Sequence, residues 1–370
     1  MGAPVLDLFL ELAALPSPPG EERAVADRVT VELRDLGLEV DEDDAGARIG
    51  GRVGNLYCRV PATAAGTPIF LCAHMDTVPP VGPIEPVVED GVVRNAGGTI
   101  LGADNKSAVA AIVEAVRRLV GEGRAHAGVE LVFTPKEEVG LRGAEAFNCS
   151  RLVARVGFVY DQVGPIGEVI LGAPHASILE VTFRGQAAHA GIAPEEGRSA
   201  IAAAARAIAD MRLGRLDEET SANVGTITGG VARNIVPDRC SFSAEARSHD
   251  EGKLADVVQE LLDACSFAAA LTGCEVETKV DRSYRGYRFR RDDDPVRLAC
   301  AALARAGYEP SFALSGGGAD ANVFNVRGLA CVNLANGMAE IHTPQEHIAV
   351  ADLEGMVDVT LALVEEARAA

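Results

Sequence analysis

The sequence predicts an α/β protein, a mostly parallel sheet with helices on its faces that carries a smaller α+β unit within it. Three observations predict this. Short apolar runs suited to buried strands, PIFLCAH at 68–74, GVELVFT at 128–134 and RVGFVY at 155–160, alternate with stretches of helical periodicity. After Pro174 the rhythm changes to two strand–helix–strand units, and near residue 285 it resumes. The 370 residues also exceed the roughly 150 of an ordinary single domain.

The elements follow in order. A short amino-terminal helix ends at a Pro-Pro-Gly stop, and residues 21–36 (EERAVADRVTVELRDL) have apolar spacing near 3.6 behind an acidic first turn. A strand around 55–60 precedes PIFLCAH, which reads as a central strand ending near His74. Residues 105–120 form an amphipathic helix, and strands at 128–134 and 155–160 complete the first part. Between 175 and 283 the pattern predicts the strand SILEVTFRG, an Ala-rich helix from 198, strands near 223 and 240, a helix over 251–270 and a strand over 275–281. From 285 come a helix at 295, a strand at 311–314, a helix at 319–325, the strand LACVNL and a closing helix after 350. The domain boundaries expected are therefore 1–174, an insertion at 175–283 and 284–370. The acidic runs DEDD at 41–44 and DDD at 292–294 read as solvated loops.

Composition narrows the function. Hydrophobic residues make up 48% of the chain, enough for a sizeable core, and 34 basic against 54 acidic residues leave a net charge of −20. Such a surface repels nucleic acid, and with aromatics at 4% and no Trp the stacking platforms for bases are missing too. No uncharged run reaches the roughly 18 residues of a membrane span, and the amino terminus lacks a secretory pattern. Eight cysteines with no Cys-x-x-Cys pair suit reduced thiols in the cytoplasm. No Gly-Lys-Ser/Thr phosphate loop and no Gly-x-Ser-x-Gly elbow is present.

The chemistry lies at the strand ends. His74 and Asp76 stand in AHMDTV, at the carboxyl end of a buried strand, where ligands of open α/β sheets bind. Asp104 stands in LGADNKSAVAAIVEA ahead of an apolar helix, where by itself it reads as an N-cap. Glu137 and Glu138 sit side by side in TPKEEVGLRGAEAF, and adjacent carboxylates repel unless a cation or a shared proton separates their roles. Asp161 follows RVGFVY, and His342 lies in IHTPQEH after LACVNL. Each is ordinary alone. Together, two imidazoles and three carboxylates at successive strand ends suit a pair of divalent ions bridged by one carboxylate.

In order and local context these motifs resemble the two-zinc exopeptidase and deacylase family that includes peptidase T, carboxypeptidase G, aminoacylase and succinyl-diaminopimelate desuccinylase. The resemblance spans nearly the whole chain. The segments HAGIAPEEGRSAI, ANVGTITGG and GGGADANVFN are most similar to the peptidase T-like tripeptidases. It implies a zinc-exopeptidase-like α/β fold with an inserted α+β lid and dimerisation domain. His74 and Asp161 would hold one ion, Glu138 and His342 the other, with Asp104 bridging, Asp76 orienting His74 and Glu137 as general base. The ions would be Zn2+, with Co2+ or Mn2+ as alternatives. In the insertion, His189 of AAHAG would donate to the oxyanion, from its own or a partner subunit. Arg247 of AEARSHD and Asn234 of ARNIVPD would bind a substrate carboxylate, and Gly317 and Gly318 of SGGGADANVF would bring backbone amides to the substrate's charged end.

The resemblance implies an enzyme that hydrolyses short peptides, with no nucleic-acid or membrane partner and a homodimer formed through the insertion. A tripeptide aminopeptidase is the first expectation, an N-acyl amino acid amidohydrolase the second, and a metal-dependent peptide-binding protein without catalysis the third. His126, His175, His249 and His347 are expected to be structural. Lys136, Asn105 and Ala319 depart from the residues common at their positions in the family.

Overall fold

A computed structural model describes residues 4–370. The described residues form two compact units: residues 4–173, 288–315 and 319–370 make the first, and residues 174–287 with 316–318 the second.

In the first unit, Ile69–His74 lies at the middle of the sheet, parallel to Val129–Thr134 on one side and to Val156–Val159 on the other. Ala330–Leu334 continues the parallel run beyond Val156–Val159. Towards one edge Leu56–Val60 joins Val129–Thr134 antiparallel and Val40–Glu42 joins Leu56–Val60 in the same sense. Towards the other, Glu168–Ala173 runs antiparallel to Ala330–Leu334 and parallel to Ser311–Leu314. All six residues of Ile69–His74 are buried, as a strand covered on both faces requires. Its alternate side chains divide the packing. Ile69, Leu71 and Ala73 join the large core made with helices Pro4–Ala13, Ala103–Gly121 and Val350–Ala369. Phe70 faces the other way, its ring centroid 5.0 Å from that of Phe324 in helix Asp320–Val326.

This second layer leaves no room at Gly157 of the neighbouring strand. A Cβ there would stand 2.1 Å from the Phe70 ring. Gly157→Ala is therefore expected to destabilise the protein by about 1–3 kcal/mol through overpacking, read as a lower urea midpoint. An unchanged midpoint would show that the ring can move aside.

The second unit is an antiparallel sheet in the order Gly214–Arg215, Thr220–Gly229, Arg239–Ser248, His175–Arg184, Glu275–Tyr284. Every second residue of Arg239–Ser248 is buried. Its Cys240, Phe242, Ala244 and Ala246, with Leu179, Val181 and Phe183, meet the apolar stripes of helices Ala200–Asp210 and Glu251–Thr272. Ser199 and Asp250 cap these helices, accepting the backbone amides of Ala202 at 3.2 Å and Lys253 at 2.9 Å.

Several features differ from the sequence expectation, among them the strand Glu168–Ala173, which follows no predicted element. The run DEDD is solvated but only partly a loop: Asp41, Glu42 and Asp44 are exposed, yet Asp41 and Glu42 pair in a strand and Glu42 binds Arg23 at 2.6 Å. Asp43 takes the amides of Ala45 and Asn55. In addition, Pro86–Glu89, Val92–Asn95 and His347–Ala349 form a small separate sheet. Its strands are too short to show a period.

Candidate metal centre

Strand ends of the first unit converge on one cluster. His74, Asp104 and Glu138 bring donor atoms within 4.8 Å of one another, and so do His74, Glu137 and Asp161. The Asp104 carboxylate lies between two imidazoles, Oδ1 at 3.1 Å from Nε2 of His74 and Oδ2 at 3.2 Å from Nε2 of His342. Beyond them, Glu138 Oε1 is 3.1 Å from the same nitrogen of His342, and Asp161 Oδ1 is 3.8 Å from that of His74. Asp104 thus spends its carboxylate on the two imidazoles rather than on capping the helix it precedes.

The turns that aim these groups are held by buried carboxylates. Lys136 adopts a positive φ of 57° after the strand Val129–Thr134, which swings the next two residues towards His74. Asp76 fastens them, one oxygen accepting the Glu137 amide at 2.9 Å and the other the Glu138 amide at 3.1 Å. It also faces the His74 ring. The backbone carbonyl of Asp76 accepts from Nδ1 of His74 at 2.9 Å, while the carboxylate oxygen stands at 3.5 Å. In the neutral ring this hydrogen bond puts the proton on Nδ1, so that Nε2, which faces Asp104, is the nitrogen able to ligate a cation. Asn333 holds Asp161 through both its backbone amide and carbonyl, at 2.9 and 2.7 Å.

Sequence reading missed two further carboxylates. Glu22, fully buried, accepts the amides of Gly20 at 2.7 Å and Lys136 at 3.2 Å, so it secures the turn before Glu137 from the other side. Asp320, also buried, accepts from the hydroxyl of Thr134 and from the Cys72 thiol, tying together the strands that end at His74 and at the Glu137 turn. Burial pushes its carboxyl up to about 6. Both stand in motifs that stood out for other reasons, the Pro-Pro-Gly stop and the triple glycine.

The electrostatics of this cluster call for cations. Burial, followed by the nearby charges of Asp161, Asp320 and Glu138, raises Glu137 well above the carboxylate range. Burial and the charges of Asp104 and Glu138 raise Asp161 to about 7. Burial alone would depress His74, yet its hydrogen bonds to Asp104, Asp161 and Asp76 lift it far above its usual value. Hydrogen bonds to Asp104 and Glu138 lift His342 to about 10. Crowded carboxylates thus gather any positive charge they can. Imidazole nitrogens and carboxylate oxygens set around one two-sided carboxylate are a donor set suited to two divalent ions.

The other expected site residues lie in the second unit. His189 is exposed, and its Nδ1 accepts the Gly191 amide at 3.2 Å, which leaves Nε2 as the protonated, donating nitrogen. Asn234 lies beside it: the Ala190 amide donates to the Asn234 carbonyl at 3.0 Å, and His189 bridges to Ile235. Arg247 binds Glu245 at 3.0 Å and the Gly316 carbonyl at 3.4 Å, next to Gly317 and Gly318. A Cβ at Gly318 would lie 2.5 Å from the Tyr284 ring, so glycine is required there by packing.

The profile of peptidase family M20/M25/M40 matches residues 70–366. The uncharacterized protein YqjE of Bacillus subtilis is 39% identical over 363 residues, 98% of each chain. Among solved structures, the aminopeptidase PepT of Bacillus cereus is 40% identical and superposes with a TM-score of 0.86 over 98% of both chains. A tripeptidase of Staphylococcus aureus is 34% identical, with a TM-score of 0.92 over 99% of this chain and 98% of its own. Among the described residues no helix is long and apolar enough to cross a membrane.

Proposed function

The chain belongs to peptidase family M20/M25/M40 and hydrolyses peptide bonds, and from that membership we propose that it is a two-metal aminopeptidase that removes the first residue of tripeptides. One observation carries the metal reading: the two oxygens of Asp104 each face a different imidazole, with Glu138 and Asp161 completing the two sides. His74 and Asp161 would hold one ion and Glu138 and His342 the other, with Zn2+ the ion proposed and Co2+ or Mn2+ able to replace it. Such ions supply Lewis-acid polarisation of the scissile carbonyl and a more acidic attacking water.

The remaining work falls to side chains. Glu137, buried beside the cluster and raised in proton affinity, takes the proton of the attacking water and delivers it to the leaving amine. Nε2 of His189 donates to the oxygen that becomes negative. Arg247, with Asn234 and the amides at Gly317 and Gly318, receives the carboxylate at the peptide's far end, which limits substrate length. The cytoplasm is the compartment proposed, in keeping with eight unpaired cysteines, and a homodimer through the second unit the assembly.

The test is amino-acid release from a free tripeptide, its N-acetylated form and a dipeptide. The free tripeptide is expected to have a kcat/KM about 100-fold above the others, since a site built around polar ends rejects substrates that leave them unpaired. Activity should vanish with a chelator and return with Zn2+, Co2+ or Mn2+. Faster release of acetate from the acetylated substrate would instead make the protein a deacylase.

A further inference from the structure

Glu346 stands four residues after His342 in IHTPQEH, and only 2% of it is exposed. Its carboxylate reaches back to the loop ahead of helix Ala103–Gly121. Oε2 accepts the backbone amides of Leu101 at 2.8 Å and Gly102 at 2.9 Å, and Oε1 accepts the amide of Asp104 at 2.9 Å. Both oxygens are spent on amides, so the group is placed as a clamp and not as a ligand.

The two loops it joins are each built to be held. Gly102 adopts a φ of +80°, and a Cβ there would press on Thr77 at 3.3 Å and on the Lys106 ammonium at 3.5 Å. The loop 340–346 contains two left-handed residues, Glu340 and His342, and is closed at its base by the paired amides and carbonyls of Ala339 and His347. Within it, the Glu346 amide donates to the Thr343 carbonyl at 3.1 Å. At the front the same two loops meet again, where Asp104 faces His342 at 3.2 Å. The backbone of Asp104 is thus fixed to the His342 loop on the side opposite its carboxylate.

We infer that Glu346 is the positioning residue for the bridging carboxylate: its clamp on Leu101, Gly102 and Asp104 sets the angle at which Asp104 divides its oxygens between the two metal positions. This rests on the proposed reading of Asp104 as the bridging ligand. A charged acceptor suits three amides. In Glu346→Gln one oxygen becomes an NH2 group that faces an amide donor, and the Asp104 loop loses part of its hold.

The experiment is Co2+ titration of chelated wild-type protein, Glu346→Gln and the control Gln345→Ala, an exposed neighbour in the same loop. It is followed by visible spectra of the Co2+ forms and by kcat and KM for a tripeptide. Glu346→Gln is expected to weaken Co2+ binding about 10–100-fold, to shift the ligand-field bands, and to lower kcat by a similar factor with KM little changed. Gln345→Ala should match wild type. A Glu346→Gln protein with wild-type Co2+ affinity and spectrum overturns the inference, even if its melting temperature has fallen. If that variant does not fold, Glu346→Asp, which keeps the charge but withdraws the oxygens by one methylene, takes its place under the same criterion. Wild-type protein that binds no Co2+ removes the metal reading itself and the inference with it.

Discussion

Glu137→Gln is expected to lower kcat by about 10²–10⁴-fold, with bound metal and KM close to wild type. The substitution keeps size and hydrogen-bonding shape but removes the only function assigned to Glu137, which is to take and return a proton. Its amide is held by Asp76 at 2.9 Å, a contact made by the backbone and so preserved in the variant. The donors assigned to the metals, His74, Asp104, Glu138, Asp161 and His342, are untouched. Steady-state kinetics with metal analysis on the same sample checks this. Activity within a few-fold of wild type would remove Glu137 from the mechanism, whereas a loss of metal in parallel would make it a ligand instead.

Asp104→Asn should be still more damaging, because in the proposed reading one side chain would serve both metal positions. The amide retains a single acceptor oxygen, so one of the imidazoles at 3.1 and 3.2 Å must face an NH2 group. The lost charge would also remove the anion that Asp104 would place between two bound cations. Bound metal is expected to fall below two ions per chain, and kcat to fall by more than about 10³-fold. Excess Zn2+ should restore little, since the defect is in the donor set. Two ions retained with near-normal turnover would mean that another group forms the bridge.

These expectations rest on chemistry that the sequence shows only in part. Buried strands announce themselves as apolar runs, so the ends that carry His74, Glu137 and Asp161 were legible as strand ends, and the helices followed from their 3.6-residue period. The types of the donors were legible too. Their partnership was not. Asp104 has the local context of a helix cap, and only the approach of His342, more than two hundred positions later, turns it into a two-sided carboxylate. Asp76 reads as a partner for the His74 ring, and only the fold shows that its carboxylate also accepts the amides of Glu137 and Glu138.

By itself, then, the sequence determined the long buried strands and the helices in their order, the change of architecture after Pro174 and the inventory of imidazoles and carboxylates, because periodicity and turn residues are properties of neighbours along the chain. Tertiary structure alone decided which carboxylates gather around the imidazoles and which hold amides and hydroxyls of remote segments. Glu22, Asp320 and Glu346 are acidic residues like any others in a chain of net charge −20. What separates them is burial against amides and hydroxyls from remote segments. A carboxylate can meet its hydrogen-bond requirement with any donor that the fold brings near, and such a donor leaves no periodic mark on the sequence beside it.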